Sequence, residues 1–437
     1  MPIYTTDVSG SNMITRFYHC ALLAILIVFL HIPAAWGGGV WLYEGGTPDL
    51  GTAGAGRAAA AKDASTAGGN PAGMTRLKGS QMTAGAQALF PQVKFDADDR
   101  SFGGGNGGNA GYFTPAGSFF YVHSLTSDFK LGLAAGSYFG LGLDYDDDWA
   151  GRYYFQEGKF LTFGVNPVAA YRINKYLSVG GGVNLVVSNY EAKTALRNLE
   201  PGSSDGRLKF EDYDVGYGAN AGLMIEPKAG TRFGITYRSK VDLEYKDKPD
   251  LKRVGPLLQA ALNVTGLAGA ELELDMEIPQ AVMASAYHEF TDQLAIMGNV
   301  GWQDWSGFGN IDVSINSDTS TSATQDLGYD DTWHFALGVQ YRIAAPWLLS
   351  IGAAYDTSPA DSGKKRTPAL PLDRQMRAAA GVQYDLNQDV TLGVAYEYLD
   401  LGDGNINLKG GNLRGDLKGD YQENQIHFIG LNVVWKF

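Results

Sequence analysis

A transmembrane antiparallel β-barrel of about fourteen strands, all-β apart from an N-terminal plug (hatch) of short helices in its lumen, is the architecture this 437-residue sequence predicts. Three observations carry that expectation: the period-2 pattern of the last strand, the rhythm of the connections, and a composition without membrane-spanning helices. In the last strand Phe437, Trp435, Val433, Leu431 and Ile429 alternate with Lys436, Val434, Asn432, Gly430 and Phe428. One continuous apolar face beside a mixed face suits a wall with lipid on one side and a lumen on the other.

The connections alternate in length. Asp96 to Phe113, Asp144 to Lys159, Ala192 to Gly206, Asp247 to Gly269, Ser317 to Gly328, Thr357 to Asp373 and Leu401 to Gln422 read as long loops. Between them fall tight turns at Thr126–Asp128, Asn174–Lys175, Pro227–Gly230, Thr291–Asp292, Ala344–Ala345 and Asn387–Gln388. Long loops at one end and short turns at the other are the asymmetry of outer-membrane barrels, and a soluble sandwich does not confine its long loops to every second connection.

Composition agrees. The chain has 58 Gly, 24 Tyr, 20 Phe and 8 Trp but only 19% charged residues, and its mean hydropathy of −0.15 suits a barrel whose lumen and loops are polar. Apart from residues 21–30 no long apolar run appears, which excludes transmembrane helices. That run follows Arg16 and precedes Ala35-Trp36-Gly37, so residues 1–37 read as a secretory signal peptide cut after Gly37, with Met13 a candidate start. Cys20, the only cysteine, lies at the start of the apolar run, where a lipoprotein cysteine would not be. The net charge of −13 lacks the basic footprint that nucleic acid requires.

Along the strands, Trp333, Phe335, Leu337, Val339 and Tyr341 alternate with small and polar residues, as do Val390, Leu392, Val394, Tyr396 and Tyr398. Tyr171, Tyr237, Tyr287, Tyr341 and Tyr384 are expected in an interfacial girdle, rings in lipid and hydroxyls among headgroups. Residues 38–79 do not read as strands and form the expected hatch; residues 80–437 form the barrel. Asn70-Pro71-Ala72 has turn chemistry and is read as a hatch turn. Gly51-x-x-Gly54-x-Gly56 follows no strand and lacks a Gly-Lys-Ser/Thr ending, so no nucleotide cofactor is expected. His123, His288, His334 and His427 occur without Gly-x-Ser-x-Gly or a His-x-x-x-His cluster, so the chain does not read as an enzyme. No cofactor and no metal centre are expected. Asp144-x-Asp146-Asp147-Asp148 reads as a solvated acidic loop, with a divalent ion bridging lipopolysaccharide as the alternative.

Short segments along the whole mature chain carry a resemblance. Gly38-Gly39-Val40-Trp41-Leu42-Tyr43-Glu44, Gly56-Arg57-Ala58, Asp63-Ala64-Ser65 and Asn70-Pro71-Ala72 come first. Tyr138-Phe139-Gly140-Leu141, Trp149-Ala150-Gly151-Arg152, Pro167 to Arg172, Thr236 to Ser239, Trp302-x-x-Trp305-Ser306 and Tyr355 to Pro359 follow in order. Their collinear set resembles the FadL/TodX family of outer-membrane transporters for long-chain fatty acids and aromatic hydrocarbons. The resemblance implies fourteen strands and passive, ligand-gated transport across the Gram-negative outer membrane. A hydrophobic ligand would be collected between outer loops, held above the hatch, and released laterally at a kink in the third strand.

On that resemblance the kink falls at Tyr138-Phe139-Gly140, where glycine permits a break, and the hatch start Val40-Trp41-Leu42 contacts ligand. Leu257, Leu258, Ala261 and Leu262 are spaced as one helical face, and Ala195, Leu196 and Leu199 repeat the pattern in the preceding long loop; ligand capture or plain loop packing would bury them. Fatty-acid members place a basic residue in the fifth strand, and the alignment puts Asn189 there. A carboxylate buried without a partner is costly, so a neutral aromatic or aliphatic hydrocarbon is the alternative ligand. Arg172, Arg232, Arg238, Arg342 and Arg377 remain lumenal cations expected mainly to pair with carboxylates. The implied partners are long-chain fatty acids or other hydrophobic small molecules, outer-membrane lipid and lipopolysaccharide, and the barrel assembly machinery, with a monomer as the expected state. A general porin and a surface adhesin are the rival classes.

Overall fold

Alternating apolar and polar residues demand a wall with two unlike faces, and the chain builds one. The structure is a computed structural model describing residues 40–41, 45–100, 102–137, 139–317 and 320–437. The expected signal peptide 1–37, Leu42 of the hatch start and Tyr138 of the kink lie outside the described residues. Fourteen antiparallel wall strands follow in order. They are β1 (Gln81–Arg100), β2 (Thr114–Ser124), β3 in two pieces (Phe129–Gly136 and Phe139–Asp144), β4 (Glu157–Asn174), β5 (Leu177–Leu196), β6 (Gly206–Lys228) and β7 (Thr231–Arg238). The second half comprises β8 (Ala281–Glu289), β9 (Leu294–Gln303), β10 (Thr332–Ala344), β11 (Trp347–Asp356), β12 (Gln375–Asp385), β13 (Val390–Asp400) and β14 (Asp416–Lys436). Each strand pairs with the next, and β14 pairs with β1 from Gln81↔Lys436 to Arg100↔Leu417, closing the barrel.

The outward faces are apolar. Phe163, Val187, Phe335, Leu337, Val394 and Leu431 are exposed, while their strand neighbours Thr162, Ser188, His334, Ala336, Ala395 and Asn432 are buried. Tyr171, Tyr237 and Tyr341 are exposed on this face. Tyr287 is a correction to the girdle: it lies one position out of phase with exposed Val282 and faces inward, under the Arg232 guanidinium at 3.8 Å. A period-2 strand assigns faces by parity, and a one-residue misjudgement of phase reverses a side chain.

Two other expectations are corrected. The loop from Ala192 does not repeat a helical face, because β5 continues through Leu196, pairing Ala195↔Arg207 and Leu196↔Gly206. Cross-strand pairing overrides the helical spacing there. The segment from Ser317 to Gly328 is no open loop, since Ser320–Asp326 forms a strand on Asn310–Asn316.

Those two strands belong to a second sheet, ordered Val241–Asp247, Glu271–Ile278, Asn310–Asn316 and Ser320–Asp326. After β7 the chain leaves the wall at Ser239 and crosses the inner face of β6. A Cβ on Gly216 would meet the Asp242 carbonyl oxygen at 2.7 Å, and one on Gly218 the Ser239 Oγ at 2.9 Å, so two glycines permit the crossing. One face of this sheet buries Val241, Leu243, Tyr245, Leu272, Leu274, Met276, Ile311 and Val313 in the apolar interior. The other carries charges paired in solvent, such as Lys246–Glu273 and Lys240–Glu277, both at 2.9 Å.

Residues 45–79 form short turns against inward-facing wall residues: 3-10 helices Pro48–Thr52 and Pro71–Arg76 and helix α1 (Thr66–Gly69). They are fastened by polar bonds as well as by Leu50, Met74 and Leu77, which are buried in apolar clusters with wall residues. Asn299 accepts from Gly56 N at 2.7 Å and donates to Gly54 O at 2.6 Å; Ser285 Oγ accepts from Ala58 N at 3.1 Å. Arg232 Nε donates to Ala59 O and Arg238 Nη2 to Gly68 O, while Arg172 Nη2 holds Thr75 O. Three wall arginines thus bind backbone carbonyls, and Arg342 and Arg377, together with Arg232 (Glu289 at 3.6 Å) and Arg172 (Asp128 at 3.9 Å), pair with carboxylates. The neutral bonds contribute about 0.5–1.5 kcal/mol net each and those from the guanidinium groups about 1.5–3 kcal/mol.

Candidate functional site

The third strand is broken where glycine and a phenylalanine meet. Phe129–Gly136 pairs with β2 over Ser118–Ser124, but Phe139–Asp144 pairs with β4 and with a two-residue strand, Val40–Trp41, whose partners are Gly140 and Phe139. Among the described residues, 114–117 of β2 therefore keep β1 on one side and face no strand on the other. The opening is bounded below by the Ser118↔Gly136 pair and above by the Gly111–Leu143 bridge. Gly140 has φ +155°, and a Cβ there would meet the Phe160 carbonyl oxygen at 2.6 Å. No other residue fits the break without moving β4.

A cavity of about 500 Å³ occupies this opening. Its lining joins lipid-facing Phe119, Leu161 and Phe163 to lumenal Thr162, and includes Thr114–Gly117, Ser137 and Gly140. Apolar surface dominates it, as expected of a pocket for an apolar guest.

Phe139 turns inward and is wholly buried. Its ring lies 5.7 Å from Phe160, 5.6 Å from Phe308 and 6.0 Å from Trp305. Trp305 and Phe308 sit on α3 (Trp305–Phe308), the corner between β9 and the second sheet, so this corner reaches across the lumen to the strand break. Thr162 Oγ1 donates to Phe139 O at 2.5 Å and fixes the bent backbone. The aromatic layer continues through Tyr190, 6.4 Å from Phe160 and 5.2 Å from Tyr245, to Phe210. Tyr245 donates to Ser188 Oγ at 2.6 Å. This layer of rings carries no charged side chain.

At the rim, α2 (Pro256–Val264) begins with Pro256 after Gly255. Its free N-terminal donors are capped from the neighbouring loop: Asn198 Oδ1 accepts from Gly255 N at 2.7 Å and Glu200 Oε1 from Leu257 N at 2.6 Å. Leu258 and Leu262 are buried in the same apolar cluster as the aromatic layer, with Ala261 packed against it. Leu257, 56% exposed, is off that face, a correction to the four-residue stripe, and Leu199 is exposed as well. Ala195 is buried and Leu196 packs on the cluster from the end of β5.

Asn189 is the clearest correction. Val183, Leu185 and Val187 are exposed while Val186, Ser188 and Tyr190 are buried, and Asn189 pairs across to exposed Leu161 and Tyr213. It faces outward, and Ser188 and Tyr190 hold the lumenal places. Asn70 is buried; it accepts from Ala72 N at 3.1 Å and donates to Ala58 O at 2.7 Å and Leu223 O at 3.0 Å, with Pro71 opening the following 3-10 turn. Asp146, Asp147 and Asp148 are exposed, on a loop whose backbone bonds Gly105 and Gly107.

Sequence reasoning missed the open edge at 114–117 and the inward crossing at Gly216 and Gly218. A signal existed for the crossing: glycines two apart share one face of a strand, and their Cβ-less face admits another backbone.

Comparison with known proteins gives a consistent result. A family model described as "Outer membrane protein transport protein (OMPP1/FadL/TodX)" matches residues 30–437. The chain is 27% identical over 408 residues to a long-chain fatty acid transport protein of Escherichia coli O6:H1 (strain CFT073), covering 86% of this chain and 90% of that one. It is 27% identical to outer membrane protein P1 of Haemophilus influenzae (strain Rd), covering 82% and 85%. In fold it resembles the crystal structure of a Pseudomonas aeruginosa FadL homologue (TM-score 0.81, 22% identity, 90% and 98% covered). It also resembles the Pseudomonas putida toluene transporter TodX (TM-score 0.67, 15% identity, 92% and 100% covered).

Proposed function

The chain belongs to the outer membrane protein transport protein (OMPP1/FadL/TodX) family, and from that membership we propose that it carries long-chain fatty acids inward and releases them sideways through the broken third strand. It is an outer-membrane transport protein for hydrophobic compounds and not an enzyme. In this reading residues 1–37 are an export signal, residues 38–79 the hatch and residues 80–437 the barrel. Exposed Leu257 and Leu199 gather ligand at the rim, and Leu258, Ala261, Leu262, Ala195 and Leu196 lead it toward the aromatic layer. The hatch start, Val40 to Leu42, pairs through Val40 and Trp41 with Phe139–Gly140, so hatch movement acts on the opening; Asn70-Pro71-Ala72 anchors the hatch turn.

One observation supports this most: the cavity at the open edge of β2, whose lining runs from lumenal Thr162 to lipid-facing Phe163. A ligand leaving there enters hydrocarbon without crossing the hydrated surface. The outward apolar belt supports lipid and lipopolysaccharide as neighbours, and the aromatic end of β14 supports handling by the barrel assembly machinery, with the barrel acting as a monomer.

A second reading, import of neutral hydrocarbons, is favoured by the uncharged aromatic layer of Phe139, Phe160, Tyr190 and Tyr245. Uptake of labelled oleate and labelled toluene in a host lacking its own fatty-acid transporter separates the two. Oleate entry lost on deletion of residues 38–79 is the expected result. Toluene entry alone moves the assignment to hydrocarbons, and entry of neither through a folded barrel overturns both.

A further inference from the structure

We propose that Arg414 and Arg197 form an anion seat at the loop-side rim of the barrel that takes the carboxylate of a single-chain amphiphile. The inference rests on the transport reading and adds to it the headgroup chemistry that the aromatic layer lacks.

Arg414 ends α4 (Gly411–Arg414), in the loop that leads into β14. Its Nη2 is buried and has no hydrogen-bond acceptor among the described residues. The guanidinium stands 5.3 Å from the Tyr154 ring centroid, and Tyr154 donates its hydroxyl to Gly415 O at 2.7 Å. Burial lowers the Arg414 pKa to about 10, so it is charged at neutral pH. The nearest acid along the chain, Asp416, is held by Lys409 at 2.6 Å. Arg197, at the end of β5, donates from Nη1 to Asn412 O at 2.5 Å and lies 3.8 Å over the Phe102 ring. Two arginines from different loops thus converge on one short helix, and neither has a carboxylate partner among the described residues.

That is out of keeping with their surroundings. Arg152 pairs with Asp205 at 2.8 Å, Arg366 with Asp373 at 2.8 Å and Arg377 with Glu397 at 3.1 Å. A buried guanidinium without a counter-ion is costly, and its planar fork matches a carboxylate two bonds at a time. Tyr154, on which Arg414 rests, belongs to the apolar cluster containing Leu258, Leu262 and Phe139. An amphiphile whose head meets Arg414 therefore has its chain against continuous apolar surface.

The test compares oleate with oleyl alcohol, the same chain without charge, binding to the purified full-length barrel in detergent. Arg414→Gln is expected to weaken oleate about tenfold, the loss of a charge-assisted hydrogen bond, and to leave oleyl alcohol unchanged. Arg197→Gln, at an exposed position, is expected to shift oleate in the same direction and keeps the test alive if the first variant fails to fold. Folding is checked by heat-modifiable gel migration. Folded variants that bind both ligands as the parent does, or lose both in parallel, overturn the seat while leaving the transport reading intact. Loss of lipopolysaccharide binding with oleate unchanged reassigns the arginines to lipid phosphates and overturns it too. A parent barrel that binds neither ligand removes the transport reading itself.

Discussion

The Asp214 carboxylate accepts the backbone N–H of Glu244 at 2.7 Å, and Asp212 accepts that of Lys246 at the same distance. Glu244 and Lys246 lie on the edge of the second sheet, whose donors there have no strand partner among the described residues. Two side chains of β6 thus stand in for a missing strand and hold the sheet over the lumen. Replacing both with alanine removes two charge-assisted bonds worth about 1.5–3 kcal/mol each at most, less for this solvent-exposed pair. Residues 241–247 should then exchange amide hydrogen markedly faster by mass spectrometry, with the wall strands unchanged. Unaltered exchange would show that Gly216 and Gly218 alone hold the crossing.

A second prediction concerns the charges inside the wall. Arg377 lies between Glu397 at 3.1 Å and Asp356 at 3.5 Å, and Asp356 also meets His334 Nδ1 at 2.9 Å; all four are buried. Glu397→Ala leaves a buried guanidinium short of a partner and should cost roughly 3–5 kcal/mol. Arg377→Met combined with Glu397→Met removes both charges of that pair, and because Asp356 then loses its guanidinium and keeps His334, Asp356→Asn is added to it; the triple change should cost less than Glu397→Ala alone. Urea unfolding of the purified barrel followed by tryptophan fluorescence gives both values.

How much of this was legible in the sequence follows from how local each signal is. The wall strands announce themselves because lipid and lumen impose opposite chemistry on alternate residues, as in Trp333 to Tyr341. Tight turns carry their own residue types. The faces of Asn189 and Tyr287 were misjudged because parity must be counted from a strand's true phase, which a ten-residue window with polar residues at its ends leaves open. The strand break at Phe139–Gly140 was reached through resemblance. The open edge at 114–117 is a property of a strand that lacks a neighbour among the described residues, and its local trace is Pro115, which has no N–H to offer one.

Asp63 supplies a pH dependence. Burial raises its pKa above the ordinary carboxylate value, opposed by hydrogen bonds from Ser65 and Thr83. A carboxyl whose folded pKa exceeds its unfolded value binds more protons when folded, so its stability contribution is full below the unfolded value and is lost as pH rises through the folded one. The segment 57–68 should accordingly loosen as pH rises from acid toward the raised value. Asp63→Asn keeps an acceptor for both bonds and removes the charge, so it should protect the segment from protease at neutral pH and flatten the dependence.

Gly140 sets the backbone of the break. With φ +155° and the Phe160 carbonyl 2.6 Å from an added Cβ, Gly140→Ala should destabilise the barrel by about 1–3 kcal/mol. Gly142→Ala, where the Tyr112 hydroxyl fills the space of a Cβ, should act in the same direction. Thermal loss of heat-modifiable migration measures both.

Lateral release is tested most directly at Gly117, on the outward lip of the opening. It is exposed, and among the described residues a Cβ there meets only the Gly85 carbonyl oxygen, at 3.5 Å, so a larger side chain has room. Gly117→Trp covers the opening from the lipid side and leaves the lumen and the rim untouched. Binding of oleate to the purified variant should match the parent, while uptake of labelled oleate by cells should fall to that of cells lacking the barrel. Uptake at the parent rate through a folded Gly117→Trp barrel would contradict a sideways exit.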